Sequence, residues 1–416
     1  MAISVKDLRA LSYGQTARNI HLHKKAIPLS LTRSRTFGLI SSPLQKSRTQ
    51  IKITDFKEVH MYKQIHQSAL AEYEKFWERK NTARPVLNMS CRKPDAVPYP
   101  APVSPEQQWL DVEYKYHAYK HNVASTEYLA EGIPCHFANY GPGMLSACIG
   151  GGYQFSPRTV WLDTKQVIED WENPPAVEFD AQSDLWQSLL REQALFASDP
   201  DAAFSMTDIG GILDIVASLR GTQNLLYDLY DYPEELKAFA ARVKQVWFDV
   251  FDQQAETLRK ANLPYNSWME IPSAKPWYPL QCDFCYMISP AQFEEFVLPD
   301  LSDQVAHMER SIYHLDGVGE LNHLDMILDI PGLTGIQWTP GTGCEPLWDE
   351  RWFPIYRKIQ DKKKNLVLLG GINECDEAGA ERLIKTLDPV GFYIKCWSST
   401  KQRGEQMIQA VTKWCE

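Results

Sequence analysis

The sequence has no run of 18 apolar residues and no repeated short cysteine spacing. Its N-terminal part is also poor in acidic residues. Without a long apolar run we expect no transmembrane helix and no membrane partner. The nine cysteines include one short spacing, Cys282 and Cys285, which is too little for a disulfide framework or a zinc ribbon. Reduced thiols are typical of the cytoplasm, which is where we expect the protein to act.

Charge is unevenly distributed along the chain. Residues 1–54 contain ten Lys and Arg and one acidic residue, Asp7. The whole chain has 43 basic and 53 acidic residues, so the remainder has 33 basic and 52 acidic. An acid-poor arm is typical of a transit peptide, a nucleic-acid arm or a plain flexible extension. We predict a basic, flexible extension over residues 1–60, and the acidic body argues against nucleic acid as a partner.

The phosphate-binding loops of nucleotide enzymes are also missing. The glycines of GPGMLSACIGGGY do not have the dinucleotide spacing, and no Gly-Lys-Ser/Thr follows them. The second half of the chain instead alternates strands and helices: SIYHLD, GIQW, LVLLGG and GFYIKCW each precede a helical pattern. Such alternation predicts an α/β protein with a parallel sheet. With the earlier strands the total is about eight, which favours a single (β/α)8 TIM barrel over residues 61–416, with an N-terminal helical extension, rather than a doubly wound sheet.

Candidate chemical groups stand where the predicted strands end. His314 and Asp316 share one face of SIYHLD, Glu270 ends SWME, and Cys396 ends IKC. An imidazole, a carboxylate and a thiolate are metal ligands, so His314, Asp316 and Cys396 form a candidate metal set. His314, Asp316 and Glu270 also suit proton transfer, which makes them candidate catalytic residues. Three structural interpretations stay open: a buried His–Asp pair, a small apolar Cys396, and an ion pair of Glu270 with Lys275 or Lys395.

The predicted mouth of the barrel is rich in aromatic residues. Trp268, Tyr286 and Trp338 lie at or near predicted strand ends, beside Gln337. They either fill the barrel or form a pocket for a flat or cationic ligand. We predict Trp268, Tyr286, Gln337 and Trp338 as substrate-binding residues, with Arg92 as an anchor for a carboxylate.

Several segments together resemble the uroporphyrinogen decarboxylase superfamily, from about residue 66 to 416. They are RPVLNMSCR, DIGGILDIVASLRGTQNLLYDLYDYPEEL, CYMISPAQFEEFVLPDL, YHLDG and GIQWTPG, in that order. The resemblance implies a single (β/α)8 barrel. It also implies one of two activities: decarboxylation, or methyl transfer that depends on a cobalamin (corrinoid) cofactor.

The resemblance is closer to the methyltransferase branch. The decarboxylases carry a segment of the type RxPVWxMRQAGR, whereas this chain keeps Arg84 and Arg92 but lacks the Met-Arg-Gln-Ala-Gly run. Thiol-directed methyltransferases of the superfamily hold zinc through His-x-Cys and a later Cys. His314 and Cys396 match that pattern, and Asp316 replaces the first Cys.

What the resemblance implies is therefore a methyltransferase-like enzyme. It would move a methyl group between a small methylated substrate and a thiol or a corrinoid, with zinc or another divalent metal in the site. The chain has no Asp-x-His-x-x-Gly element for cobalamin, so a corrinoid would come on a separate partner protein. The alternatives are a decarboxylase or lyase acting on a smaller acid, and a catalytically silent ligand-binding barrel. The sequence leaves a homodimer open.

Overall fold

The computed structural model describes residues 61–372 and 376–416; the predicted extension over residues 1–60 lies outside them. Within these ranges no helix is both long and apolar enough to cross a bilayer. The α-helices are α1 (Met61–Ile65), α2 (Gln67–Trp77), α3 (Pro105–Leu110), α4 (Val112–Ala124), α5 (Leu145–Cys148), α6 (Asp184–Ala197), α7 (Ile212–Arg220), α8 (Thr222–Asp231), α9 (Pro233–Lys260), α10 (Pro290–Phe296), α11 (Leu298–His307), α12 (Leu324–Leu328), α13 (Phe353–Asp361), α14 (Glu377–Thr386) and α15 (Lys401–Trp414). Short 3-10 helices cover Asp283–Met287, Val318–His323 and Glu350–Trp352.

The main sheet has seven strands, which are β1 (Val86–Arg92), β2 (Thr126–Ala130), β5 (Trp277–Leu280), β6 (Arg310–Asp316), β7 (Gly335–Thr339), β8 (Asn365–Leu369) and β9 (Phe392–Trp397), and a separate pair is formed by β3 (Gln154–Phe155) and β4 (Val160–Trp161). The order in the main sheet is β2-β1-β9-β8-β7-β6-β5. Within this sheet only the β1–β2 pair is antiparallel. The four predicted strand–helix units of the second half are confirmed, as is the α/β class.

The hydrogen-bonded ladder does not close into a barrel within the described residues. Beyond β5 the described residues add no strand to this sheet, and they form two isolated bridges, a parallel one from His136 to Phe204 and an antiparallel one from Tyr265 to Ser273. Pro279 of β5 has no N–H to give to a further strand, and proline in a sheet is typical of an edge. The neighbouring segment is instead held by the Tyr278 hydroxyl, which accepts from the backbone N–H of Ile209 at 2.7 Å and donates to the Asp208 carboxylate at 3.2 Å. Closure of a (β/α)8 barrel therefore stays a prediction.

Two local predictions were wrong because tertiary pairing overrode the local pattern. The sequence predicts a helix around 109–130, but α4 ends at Ala124 and residues 126–130 form β2, which pairs with β1. The sequence also predicts a strand over about 265–271, where the structure has only a bridge between Tyr265 and Ser273. The strand of this region is WYPL, which pairs with β6.

A buried charged network joins α4, α6 and the segment that follows β2. The Glu192 carboxylate, fully buried, accepts hydrogen bonds from Lys115, His136 and Tyr140. Burial alone would raise the pKa of Glu192, but the Lys115 ammonium and His136 lower it to about 2. The stability that comes from ionised Glu192 is therefore present above the unfolded pKa of about 4.5 and is lost as the pH falls towards about 2.

Removing one member of this network should be costly. We expect Lys115→Met to lower the free energy of unfolding at pH 7 by about 3–5 kcal/mol, because it leaves a buried carboxylate with a missing partner. Lys75→Met is the matched control, since Lys75 and Glu72 form an exposed pair worth less than about 1 kcal/mol. Urea unfolding of both variants measures the difference. Equal stabilities would contradict a structural role for the network.

Candidate metal centre

The register of the parallel strands decides which side chains share a side of the sheet, because residues in register on neighbouring strands point the same way. His314 is in register with Gln337, and Asp316 with Thr339. His314 faces the segment after α9, since its ring makes a T-shaped contact with Trp268 with centroids 4.9 Å apart. We call this the inner side. Both predicted residues of β6 lie on it, as strand alternation indicated.

A third ligand-type group reaches the same place from the loop after β5. The donor atoms of Asp283, His314 and Asp316 all lie within 4.8 Å of one another. His314 Nε2 and Asp316 Oδ2 are 3.7 Å apart. Asp283 is held by its backbone, because the N–H groups of residues 283 and 284 donate to the Asp214 carboxylate at 3.0 and 2.8 Å. We call these three residues the Asp-His-Asp cluster.

The tautomer of His314 is set by Gln337. The Gln337 amide nitrogen donates to Thr339 Oγ1 at 2.8 Å, so its carbonyl oxygen is the atom that meets His314 Nδ1. His314 therefore carries its proton on Nδ1 and leaves the Nε2 lone pair for the two carboxylates or for a metal. Histidines that bind metals are commonly oriented by a hydrogen bond of this kind on the other ring nitrogen.

The surroundings of the cluster are acidic. Burial raises the pKa of Asp208, which lies in the neighbourhood of His314. Burial also raises the pKa of Glu320 well above its usual range, and the charges of Cys285, Asp283 and Asp316 add to that effect. A raised pKa favours the uncharged form of Asp208 and Glu320, so the negative potential that favours a bound cation comes from the Asp283 and Asp316 carboxylates.

Aromatic rings and a glycine turn form the rim. Trp268 is half-buried, and Tyr286, exposed, follows Asp283 on the same 3-10 helix. The Tyr286 ring packs over Gly317 and Gly319, where an added Cβ would lie 2.9 and 2.7 Å from ring atoms. Gly317 also has φ of +93°, which suits glycine. This turn carries the chain away from the site directly after Asp316.

A second polar group lies on the inner side. Glu270 Oε1 contacts Lys395 Nζ at 2.7 Å, and Glu270 Oε2 accepts from Asn88 at 3.3 Å. Lys395 is in register with Asn88 of β1. The ion pair that the sequence left open for Glu270 is thus the one with Lys395, while Lys275 contacts Glu309.

The structure does not bring the other predicted residues into the cluster. Cys396 is in register with Met89, and the Met89 sulfur packs against Gly404 of α15, so Cys396 is buried on the outer side. Trp338 is buried and packs on Trp352. Their neighbours on the strand, Lys395 and Gln337, occupy the inner side because adjacent strand residues alternate.

Two residues that the sequence predicts to bind substrate make other contacts in the structure. Gln337 is fully buried and orients His314. Arg92 is exposed at the end of β1, where its side chain reaches Asn122 at 3.5 Å. Substrate binding by Gln337, Trp338 and Arg92 stays a prediction.

Sequence reasoning missed Asp283. In the sequence the CDFC stretch is notable only for its two thiols, and the predicted strand before it is SWME, which ends at Glu270. With WYPL as the strand, Asp283 falls just past a strand end, which is the position where the functional residues of α/β folds gather. Burial raises the pKa of Cys282 well above its usual range, as is typical of an unreactive thiol.

Comparison with known proteins supports the fold. No protein-family model matches the sequence, and no curated protein matches it. Among solved structures, the chain is similar to a methyltransferase from Methanosarcina mazei. The TM-score is 0.52 at 11% sequence identity, and the match covers 83% of this chain and 98% of the methyltransferase chain. The chain thus has a methyltransferase-like fold, while membership of the uroporphyrinogen decarboxylase superfamily stays a prediction.

The placement of Trp338 can be tested by stability. We expect Trp338→Ala to lower the free energy of unfolding by about 3–5 kcal/mol, because it empties a core position. Trp397→Ala, at an exposed strand end, should change it by less than about 1 kcal/mol. Denaturant unfolding compares the two variants. A Trp338→Ala protein as stable as the wild type would contradict the outer-side placement.

Proposed function

We propose that the chain is a metal-dependent, methyltransferase-like enzyme that moves a methyl group between a small methylated substrate and a thiol or a separate corrinoid protein. The observation that carries the proposal is the Asp-His-Asp cluster, with its imidazole already oriented for a ligand role. The methyltransferase-like fold supports the same conclusion. In this proposal Trp268 and Tyr286 line the substrate's path to the cluster.

The donors fit a divalent ion. Two carboxylate oxygens and one imidazole nitrogen make a harder set than the thiolates that zinc prefers, so Mn²⁺ or another hard ion competes with zinc here. Such an ion would supply Lewis acidity at the reacting group. Asp283, His314 and Asp316 would hold it, Gln337 would keep the His314 ring oriented, and Trp268 would limit the movement of that ring.

The same geometry supports a metal-free variant of the site. His314 Nε2 and Asp316 Oδ2, 3.7 Å apart, would exchange a proton with a bound substrate, since imidazole changes its charge near neutral pH. In that case the activity would persist after the removal of metal. A catalytically silent barrel would show no turnover under either condition.

Metal binding tests the cluster directly. After treatment with a chelator, we expect calorimetric titration with Mn²⁺ or Zn²⁺ to give one site per chain. Asp283→Asn and His314→Ala should abolish the site or weaken it at least tenfold, and Gln337→Leu should weaken it about 10–100-fold, because outer partners tune ligand orientation. Cys396→Ala is the matched control and should bind as the wild type does.

Two results would contradict this assignment. One is metal binding that depends on Cys396 and not on Asp283. The other is a wild-type protein that takes up neither ion, which would leave acid–base chemistry at His314 and Asp316.

Methyl transfer itself can be assayed with methylcobalamin as a stand-in for a corrinoid partner. In the forward assay the methyl group leaves cobalt for a thiolate sulfur, which yields a thioether and cob(I)alamin, and the thiol proton passes to solvent or a protein base. We expect the wild type to accelerate the visible absorption change and His314→Ala not to do so. The reverse assay uses cob(I)alamin and methylated compounds. Absence of transfer in both directions would contradict the proposed activity.

A further inference from the structure

The turn over residues 267–270 connects the Asp-His-Asp cluster to the Glu270–Lys395 pair. Trp268 makes a T-shaped ring contact with His314, and two residues later Glu270 contacts Lys395. Strand register from β6 through β9 places Lys395 on the same side of the sheet as His314. The ammonium of Lys395 therefore belongs to the same inner side as the cluster.

The backbone of this turn is held in an uncommon conformation. Glu270 has φ of +57°, a left-handed value that is unusual for a residue with a side chain. The turn is fixed by contacts to its carbonyl groups: Tyr393 donates from its hydroxyl to Met269 O at 3.2 Å, and Asn88 reaches Glu270 O at 3.4 Å. Left-handed residues that are held by surrounding contacts cluster at ligand-binding sites. Here the conformation presents the Glu270 carboxylate to Lys395.

The pair offers donors to a ligand rather than acceptors. Both oxygens of Glu270 are engaged, one by Lys395 and one by Asn88. Lys395 has three N–H donors, and among the described residues its only hydrogen-bond or ion-pair contact is the one with Glu270. Its side chain is 38% exposed, although it stands on a strand whose residues 392–394 are buried. The remaining donors of Lys395 are therefore accessible to a ligand at the mouth.

We propose that Lys395 binds a carboxylate of the substrate, with Glu270 as the positioning residue that holds its ammonium. A single ammonium that is partly neutralised by Glu270 suits a monoanion better than a phosphate, which is bound by several cations or a fork of N–H groups. In this proposal the substrate is a small acid whose methylated group faces the cluster while its carboxylate lies on Lys395. This deepens the proposed function and rests on it for the position of the methylated group, whereas carboxylate binding at Lys395 stands without metal.

The test is calorimetric titration of the metal-free, full-length protein with methoxyacetate and methylthioacetate, each beside its neutral primary amide, and with inorganic phosphate. We expect both acids to bind and their amides to bind at least about tenfold more weakly, since a charge-assisted hydrogen bond is lost. Lys395→Gln should weaken acid binding at least tenfold, and Lys395→Arg should retain it. Lys401→Gln, at an exposed lysine nearby in sequence, is the matched control and should have no effect.

His314→Ala separates the two proposals, because it removes the metal site and should leave acid binding intact. If the acids and amides bind equally, if neither acid binds at millimolar concentration, or if phosphate binds more tightly than both acids, the carboxylate assignment is overturned. The comparison of acid with amide on the wild type needs no variant, so it decides the matter even where Lys395→Gln fails to fold.

Discussion

The site depends on the hydrogen bond between His314 Nδ1 and the Gln337 carbonyl oxygen. Gln337 is fully buried, and its amide nitrogen is already bonded to Thr339, so its oxygen has one orientation available. The imidazole consequently turns Nε2 towards Asp283 and Asp316, and the T-shaped contact with Trp268 restricts the ring further. Without this bond the two carboxylates would have no fixed nitrogen between them, and the donor set for a cation would be incomplete.

The left-handed turn at Glu270 contacts two different chemical groups of the inner side, an imidazole at one end and an ammonium at the other. Trp268 restrains the imidazole at one end, and Glu270 restrains the Lys395 ammonium at the other. In the proposed site one end binds a cation and the other an anion, so a substrate that bridges them must be asymmetric. Buried tyrosine and asparagine side chains, Tyr393 and Asn88, fix the turn by hydrogen bonds to its backbone. Buried side chains of the sheet therefore fix the turn that carries Trp268 and Glu270.

Local periodicity predicted the parts of the site that depend on one strand. Alternation along β6 assigned His314 and Asp316 to one side, and the register with β7 agrees. Adjacent residues of a strand point to opposite sides, so only one of Gln337 and Trp338, and only one of Lys395 and Cys396, can lie on the inner side. The pairing of the strands, and not the local sequence, decides which one it is. Asp283 was missed for a related reason. WYPL contains a proline and looks less like a strand than the stretch before it, and only its pairing with β6 reveals it. The bridge between His136 and Phe204 joins segments that are far apart in the sequence, and no local pattern encodes such a contact.

The absorption spectrum of the cobalt(II)-substituted protein tests the assignment of the metal centre most directly. A site of one imidazole and two carboxylates should give weak visible d–d bands without intense near-ultraviolet thiolate charge transfer, and the visible bands should disappear in His314→Ala. An intense thiolate charge-transfer band that is lost in Cys396→Ala would show a sulfur ligand, and it would contradict the Asp-His-Asp cluster as the metal centre.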